Sequence, residues 1–221
     1  MRYSAKELEK LALAQINLLQ QRIGGGQWIT LLNQALQEAC YQGSTLEMKV
    51  EEIPILMVFP TSEPIYGPIV QMITVKVNGK SGQSYYGWKK IADEPLVPAT
   101  PYFILGVNIG FEDTPTSGET ALIKILGLQK SPLTCGENIS LTTQYSQTLA
   151  GLPGWLGSAA LGSKTKSDTG KVEECFPLID MTDGYPIIKG KAFQKPLDRV
   201  NFPSCRRRVC APEQTEFELG V

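Results

Sequence analysis

The chain has 221 residues, 42% hydrophobic and 19% charged, with a net charge of −1 and no histidine. Those values describe a globular chain long enough to bury its own core without staples, and the near-neutral charge argues against general nucleic-acid binding. The missing histidine removes Ser-His-Asp and Cys-His nucleophile activation, histidine zinc sites and facial-triad iron. Any catalysis is left to carboxylates, Lys, Tyr, Cys or a cofactor, so enzymatic activity stays open, and no cofactor motif is found.

The first element starts at a capping box, Ser4-Ala-Lys-Glu7, followed by apolar residues at helical spacing: Leu8, Leu11, Ile16, Leu19 and Ile23. Gly24-Gly-Gly26 ends it, and Gln27 to Cys40 reads as a second helix, giving a helical hairpin. Between Leu11 and Gln37 the single charged residue is Arg22, with glutamine and asparagine filling the polar positions. Solvated helices normally carry Glu and Lys pairs there. The hairpin therefore either packs on its own domain or offers a contact surface, with Gln20, Gln27, Trp28 and Gln34 as its candidate residues.

From Thr45 the pattern turns to strands. Leu46 to Ile53 alternates, Ile55 to Phe59 is a buried run closed by Pro60, and Ile69 to Val77 is rich in β-branched residues. Asn78-Gly79 predicts a hairpin turn. After a proline-rich connector, Tyr102 to Ile109 reads as a second buried strand. Thr116-Ser-Gly-Glu119 and Thr134-Cys-Gly-Glu137 are capping boxes that predict helices to about Leu128 and Leu149. The last third reads as a β-meander: Trp155 to Leu161, a polar turn from Gly162 to Gly170, Glu174 to Met181, and Tyr185 to Phe193 after an Asp183-Gly184 turn.

Most catalytic motifs fail on inspection. The phosphate-loop pattern breaks at Thr74 ahead of Gly79-Lys80, and at Thr165 and Val172 around Gly170-Lys171. Gly24 to Gly26 joins two helices, so it is no dinucleotide loop. Ser163 and Lys166 have Ser-x-x-Lys spacing but lie in a turn, where no helix brings the amine to the hydroxyl. Glu112-Asp113, and Asp180 with Asp183, sit at strand ends, where carboxylates serve as acid, base or cation ligands but also arise from ordinary turn chemistry.

Five cysteines are scattered, and Cys205 and Cys210 have a spacing wider than a metal knuckle, with no second pair nearby. They read as free thiols, and no metal site is expected. With no signal-like N-terminus and no apolar run of about 20 residues, the chain reads as cytoplasmic with no membrane span.

Three arginines lie between Cys205 and Cys210, in NFPSCRRRVC. From Tyr185 to Cys210 seven basic residues (Lys189, Lys191, Lys195, Arg199, Arg206, Arg207, Arg208) face one acid, Asp198, a net +6 that leaves −7 elsewhere. That segment is a natural seat for phosphate or carboxylate, with Arg199, Arg206, Arg207, Arg208, Lys189 and Lys191 as its ligands. The competing reading is a charged strand edge.

Three stretches, Pro101-Tyr-Phe-Ile-Leu-Gly-Val107, SPLTCGENISLTTQYSQTL within Leu122 to Leu149, and the closing FPSCRRRV, carry a resemblance. From about Pro101 onward the chain resembles a family of uncharacterised bacterial proteins of similar length with no assigned activity. It departs in having no histidine and fewer tryptophans near its end. The resemblance implies no catalytic residue.

The expectation is an α+β fold with an N-terminal helical hairpin (1–41), an α+β part (42–210) and an acidic tail (211–221). The sheet is mixed or antiparallel with a central helix pair and a C-terminal β-meander. The expected function is binding or interaction through a protein partner or self-association at the hairpin. A binder, or enzyme, of a small phosphorylated or carboxylate ligand at the arginine cluster is the alternative.

Overall fold

The structure, a computed structural model, describes residues 1–23, 29–60, 67–84, 91–111, 114–165, 174–181 and 183–211, without the side chains of 19–23, 29–30 and 69–70. The chain opens with α1 (Ala5–Ile23) and α2 (Ile29–Thr45), then β1 (Glu52–Val58) and the short α3 (Pro68–Met72). Four short strands follow: β2 (Lys76–Val77), β3 (Lys80–Ser81), β4 (Gln83–Ser84) and β5 (Ile91–Asp93). Next come β6 (Tyr102–Asn108), β7 (Thr116–Ser117), α4 (Gly118–Gly127), β8 (Ser131–Pro132), α5 (Cys135–Gln144) and α6 (Ser146–Ala150). The remainder is β9 (Gly157–Ala159), β10 (Ser163–Thr165), β11 (Cys175–Asp180), β12 (Ile187–Ala192), β13 (Pro196–Leu197), β14 (Val200–Asn201), β15 (Ser204–Cys205) and β16 (Arg207–Val209).

This is an α+β fold built in layers. The first sheet runs β1-β6-β15-β8, with β16 also on β6, and its pairings are antiparallel. One face carries Ile55, Met57, Phe59, Phe103, Leu105 and Val209, and the α1–α2 hairpin covers it with Leu8, Ala12, Ile16, Leu32, Ala35, Leu36 and Ala39. Each large apolar side chain so buried contributes about 1.5–3 kcal/mol. Gln15 fastens the hairpin to β1: its amide donates to the Ile55 carbonyl at 2.8 Å, and its oxygen accepts from Met57 N–H at 2.7 Å.

The other face of the first sheet joins α3, α5, α6 and the second sheet in a central core that includes Leu56, Tyr102, Ile104, Ile139, Leu141, Ile179 and Ile188. In the second sheet β9 and β10 share one edge of β11 while β12 takes the other, with β14 and β4 added in parallel pairings. Its outer face holds Phe176, Leu178, Val200 and Phe202 under Ala121 and Ile125 of α4.

Helix α5 is buried along Cys135 to Thr143 although it is rich in Ser, Thr and Asn. Asn138, Thr142 and Thr143 find partners within the protein, while Gln144 Oε1 at its last residue is buried with none among the described residues. Asn138 donates to the Ser158 carbonyl at 2.8 Å, Ser158 Oγ donates back at 2.5 Å, and Thr142 and Thr143 bond to carbonyls one turn earlier. Buried polar groups persist where they find such partners.

Several sequence expectations shift. Leu46 to Ile53 is no strand until Glu52, because α2 runs on to Thr45 and Leu46 and Met48 pack beneath the hairpin. Ile69 to Val77 starts as α3, since Pro68 occupies a first helical position where its fixed φ and missing N–H cost nothing. The cap of α4 is Ser117, which accepts from Thr120 N–H at 3.2 Å, while Thr116 pairs with Leu197 across β7–β13. The helix predicted to Leu149 breaks at Tyr145 into α5 and α6. The meander strands β9, β11 and β12 stay together in the second sheet, and β15 and β16, which follow them in the chain, belong to the first. The Ser4 and Thr134 capping boxes and the Asn78-Gly79 turn, at φ 50° and 78°, form as expected. Gly24 to Gly26 and the 212–221 tail lie outside the described residues.

Candidate functional site

The arginines of NFPSCRRRVC follow the alternation of a strand. Because β16 pairs antiparallel with β6, Arg207 and Arg208 point to opposite faces. Arg208 enters the interior. Its Nε donates to Glu137 Oε1 at 2.6 Å and its Nη2 to Glu137 Oε2 at 2.8 Å, while Ser131 Oγ and the Pro132 carbonyl accept two more bonds at 2.6 and 3.1 Å. Glu137 is the third residue of α5 and part of its capping box, accepting from Thr134 N–H at 2.7 Å. Tyr102 of β6 donates its hydroxyl to the same carboxylate at 3.0 Å. Burial, the largest single influence, would lower the Arg208 pKa, but the Glu137 charge and hydrogen bond, with Cys205 and Tyr102, together outweigh it and hold the guanidinium above its ordinary range.

Arg206 is held elsewhere. Its guanidinium takes Glu52 at 2.9 and 3.1 Å and the Glu47 carbonyl at 2.9 Å, beside Lys130, which reaches the same carboxylate at 2.7 Å. Burial pushes the Glu52 carboxyl up, but Lys130, the Lys49 N–H and Arg206 together hold it below its usual range. Gly106 makes this possible: at φ +62° its missing Cβ leaves room for Arg206 Cδ, which one would approach to 2.8 Å.

The other members of the basic segment have their own neighbours. Arg207 is exposed and donates to Gln42 at 3.0 Å. Arg199, also exposed, lies over Gly154, with Asp198 at 3.8 Å. Lys189 pairs with Asp183 at 2.7 Å and Asp180 at 3.5 Å, and Lys191 reaches Asp180 at 3.8 Å. The six residues are thus spread over separate acidic and amide partners, with Asp180 alone shared by two of them.

Of the hairpin residues, Gln34 is exposed on α2 and Gln20 belongs to α1; Gln27 and Trp28 lie outside the described residues, as do Glu112 and Asp113. The outer surface of the hairpin from Leu11 to Gln37 exposes Leu11, Leu13, Ala14, Asn17, Asn33, Gln34 and Gln37 among the described side chains, none of them charged. All five cysteines are free thiols. Among the described residues no three Cys, Asp or Glu side chains gather closely enough to hold a metal ion, and no helix is long and apolar enough to cross a membrane.

Two features were not legible in the sequence. The first is Asp93 on β5. It accepts a short hydrogen bond from Ser163 of β10, whose Oγ also accepts from Cys135 N–H at 2.7 Å at the start of α5. Burial, opposed by the Ser163 bond, pushes the Asp93 carboxyl up to about 6. The second is a cleft of about 570 Å³ on the other side of the same strands, bounded by Glu94, Glu119, Leu122, Lys164, Glu174, Ala192, Phe193, Gln194 and Lys195. Strand alternation sends Asp93 and Ser163 inward and Lys164 outward, where it meets Glu94 at 2.8 Å and Glu174 at 3.3 Å.

No family model matches the chain, and neither a curated protein nor a solved structure matches it.

Proposed function

We propose that this is a non-catalytic interaction protein that self-associates through the outer face of its N-terminal hairpin. The observation that carries the reading is the charge-poor stretch from Leu11 to Gln37, in which Arg22 is the single charged residue and the described exposed side chains carry no charge. There Leu11 and Leu13 are 39% and 43% exposed amid Ala14, Asn17, Asn33, Gln34 and Gln37. Charged residues are depleted at the centres of interfaces, and solvated helices normally expose them.

A second copy of the chain is the natural occupant. A two-fold contact places one patch against itself, so a charged patch would repel its own image while an uncharged one does not. The inner face of the hairpin is already committed to Ile55, Phe59, Phe103 and Leu105. Deleting the hairpin would strip that core, so point substitutions on the outer face are the appropriate test.

Sedimentation velocity of the full chain over a wide concentration range should show a dimer. Leu13→Lys and Gln34→Glu, both at exposed positions, should give monomers with unchanged thermal unfolding. A monomer at every concentration, or variants that still dimerise, would sink the reading. The resemblance to a bacterial family without assigned activity fits a protein that works by contact, but adds no residue to it.

A further inference from the structure

The cleft between α4, β10 and the end of β12 combines three things that a binding site for a small molecule needs. It has the right size: about 570 Å³ falls inside the range of about 300–1,000 Å³ typical of such sites. It has an apolar wall. Leu122 projects from α4, and the Phe193 ring is braced edge-on against Phe176, with centroids 5.1 Å apart and planes at 77°. Phe176 is fully buried, so the wall is anchored to the second sheet.

It also has charges of both signs with no ion-pair partner among the described residues. Lys164 is occupied by Glu94 and Glu174. Glu119, on the first turn of α4, has no described cation within ion-pair distance, and Lys195 has no described carboxylate within that distance. Glu119 is fixed in place by its backbone N–H, which donates to the Phe193 carbonyl at 3.0 Å, so the two sides of the cleft are tied together. A carboxylate and an ammonium with no described ion-pair partner, flanking an apolar wall, complement a molecule with an ammonium, a carboxylate and apolar carbon between them. A phosphate would meet three carboxylates here, and a purely apolar ligand would leave both charges unanswered.

We propose that this cleft binds an apolar zwitterion, a short peptide of aliphatic residues, with its ammonium on Glu119, its carboxylate on Lys195 and its side chains over Leu122 and Phe193. The site is separate from the outer face of the hairpin and does not depend on self-association. Gln194 adds an amide on the rim that can bond to a peptide backbone.

Isothermal titration calorimetry on the full chain tests this, with tri-leucine as the probe and leucine, butylamine and pentanoate as comparators. Tri-leucine should bind, and Glu119→Gln and Lys195→Ala should each weaken it roughly tenfold, a loss of about 1.4 kcal/mol. Both residues lie on the surface of the cleft, and circular dichroism checks that each variant folds. N-acetylated and C-amidated tri-leucine should each lose affinity at its own end: the acetylated peptide against Glu119, the amidated one against Lys195. Tighter binding of leucine than of tri-leucine would assign the site to free amino acids and overturn the peptide assignment. Absence of heat with every probe, equal binding of butylamine or pentanoate, or full affinity in both variants would overturn the proposal.

Discussion

Arg208 and Glu137, 71 positions apart in the chain, meet in a two-pronged ion pair at 2.6 and 2.8 Å, with the carboxylate fully buried. The pair joins the last strand of the first sheet to the N-terminus of the central helix. Because Glu137 also closes the capping box of α5 and accepts from Tyr102, one carboxylate organises a strand, a helix start and a core tyrosine.

Removing Arg208 should therefore be costly. Arg208→Ala leaves the Glu137 carboxylate buried without its cation, and the loss expected from chemical denaturation is about 3–5 kcal/mol. Arg206→Ala should cost less, because Lys130 keeps its 2.7 Å contact with Glu52. Equal losses in the two variants would contradict the assignment of Arg208 as the more critical residue.

The Asp93 carboxyl makes stability depend on pH. Its folded pKa of about 6 lies above the ordinary 3.8, so the folded state holds a proton that the unfolded chain releases. The contribution is complete below the ordinary aspartate range and is lost as pH rises through about 6, with a ceiling of about 3 kcal/mol at 1.36 kcal/mol per unit. Burial raises the pKa most and the Glu137 charge adds to the rise, while the Ser163 hydroxyl, Arg208 and the Cys135 N–H oppose it. In Asp93→Asn the urea midpoint should vary less between acid and neutral pH, and a pH dependence equal to that of the parent protein would refute the role.

The thiols should separate by burial. Cys40, Cys135, Cys175 and Cys205 are buried, and burial pushes Cys40 up to about 11 and Cys205 up to about 12, so little thiolate forms near neutral pH. Cys210 alone is half-buried. Native labelling with a thiol reagent should modify Cys210 first, with the others reacting only on unfolding. Mass spectrometry of the labelled peptides would expose a wrong order.

Two glycines of α4 should respond oppositely to alanine. At Gly118 a Cβ would lie 2.6 Å from Phe176 Cε1 and 3.2 Å from Leu161 Cδ2, both fully buried or nearly so. Overpacking of about 1–3 kcal/mol then exceeds the gain in helix propensity of about 1 kcal/mol. At Gly127 a Cβ meets nothing within 4 Å, so alanine should be neutral or stabilising. Thermal unfolding should fall in Gly118→Ala and hold or rise in Gly127→Ala; a stabilised Gly118→Ala would show that Phe176 yields.

Much of the fold was legible because its signals are local. The Ser4 and Thr134 capping boxes, the Asn78-Gly79 turn and the apolar runs at 55–59 and 102–109 each depend on neighbours a few residues away; the boxes and the turn form where the sequence places them, and the runs fall in strands at 52–58 and 102–108. Ile69 to Val77 went astray for a local reason as well: Pro68 at a helix start outweighed the strand preference of the residues after it.

The site was less legible. NFPSCRRRVC reads as a basic cluster because the carboxylates that receive Arg206 and Arg208 lie 154 and 71 positions away. The Thr134 capping box marks the start of α5 and the expected helix pair is central, but the partners of its buried polar side chains, Ser158 for Asn138 and a carbonyl one turn back for Thr142, are given by the structure. The sequence by itself determined the α+β class, the hairpin and the Ser4 and Thr134 caps, since those follow from spacing and backbone preference. Only the tertiary structure decided which charges neutralise one another, which partners the buried polar side chains of α5 take, and that Glu119 and Lys195 share a cleft. Pairing of charges and burial are properties of distance in space, and a linear pattern carries that distance only within a turn or two.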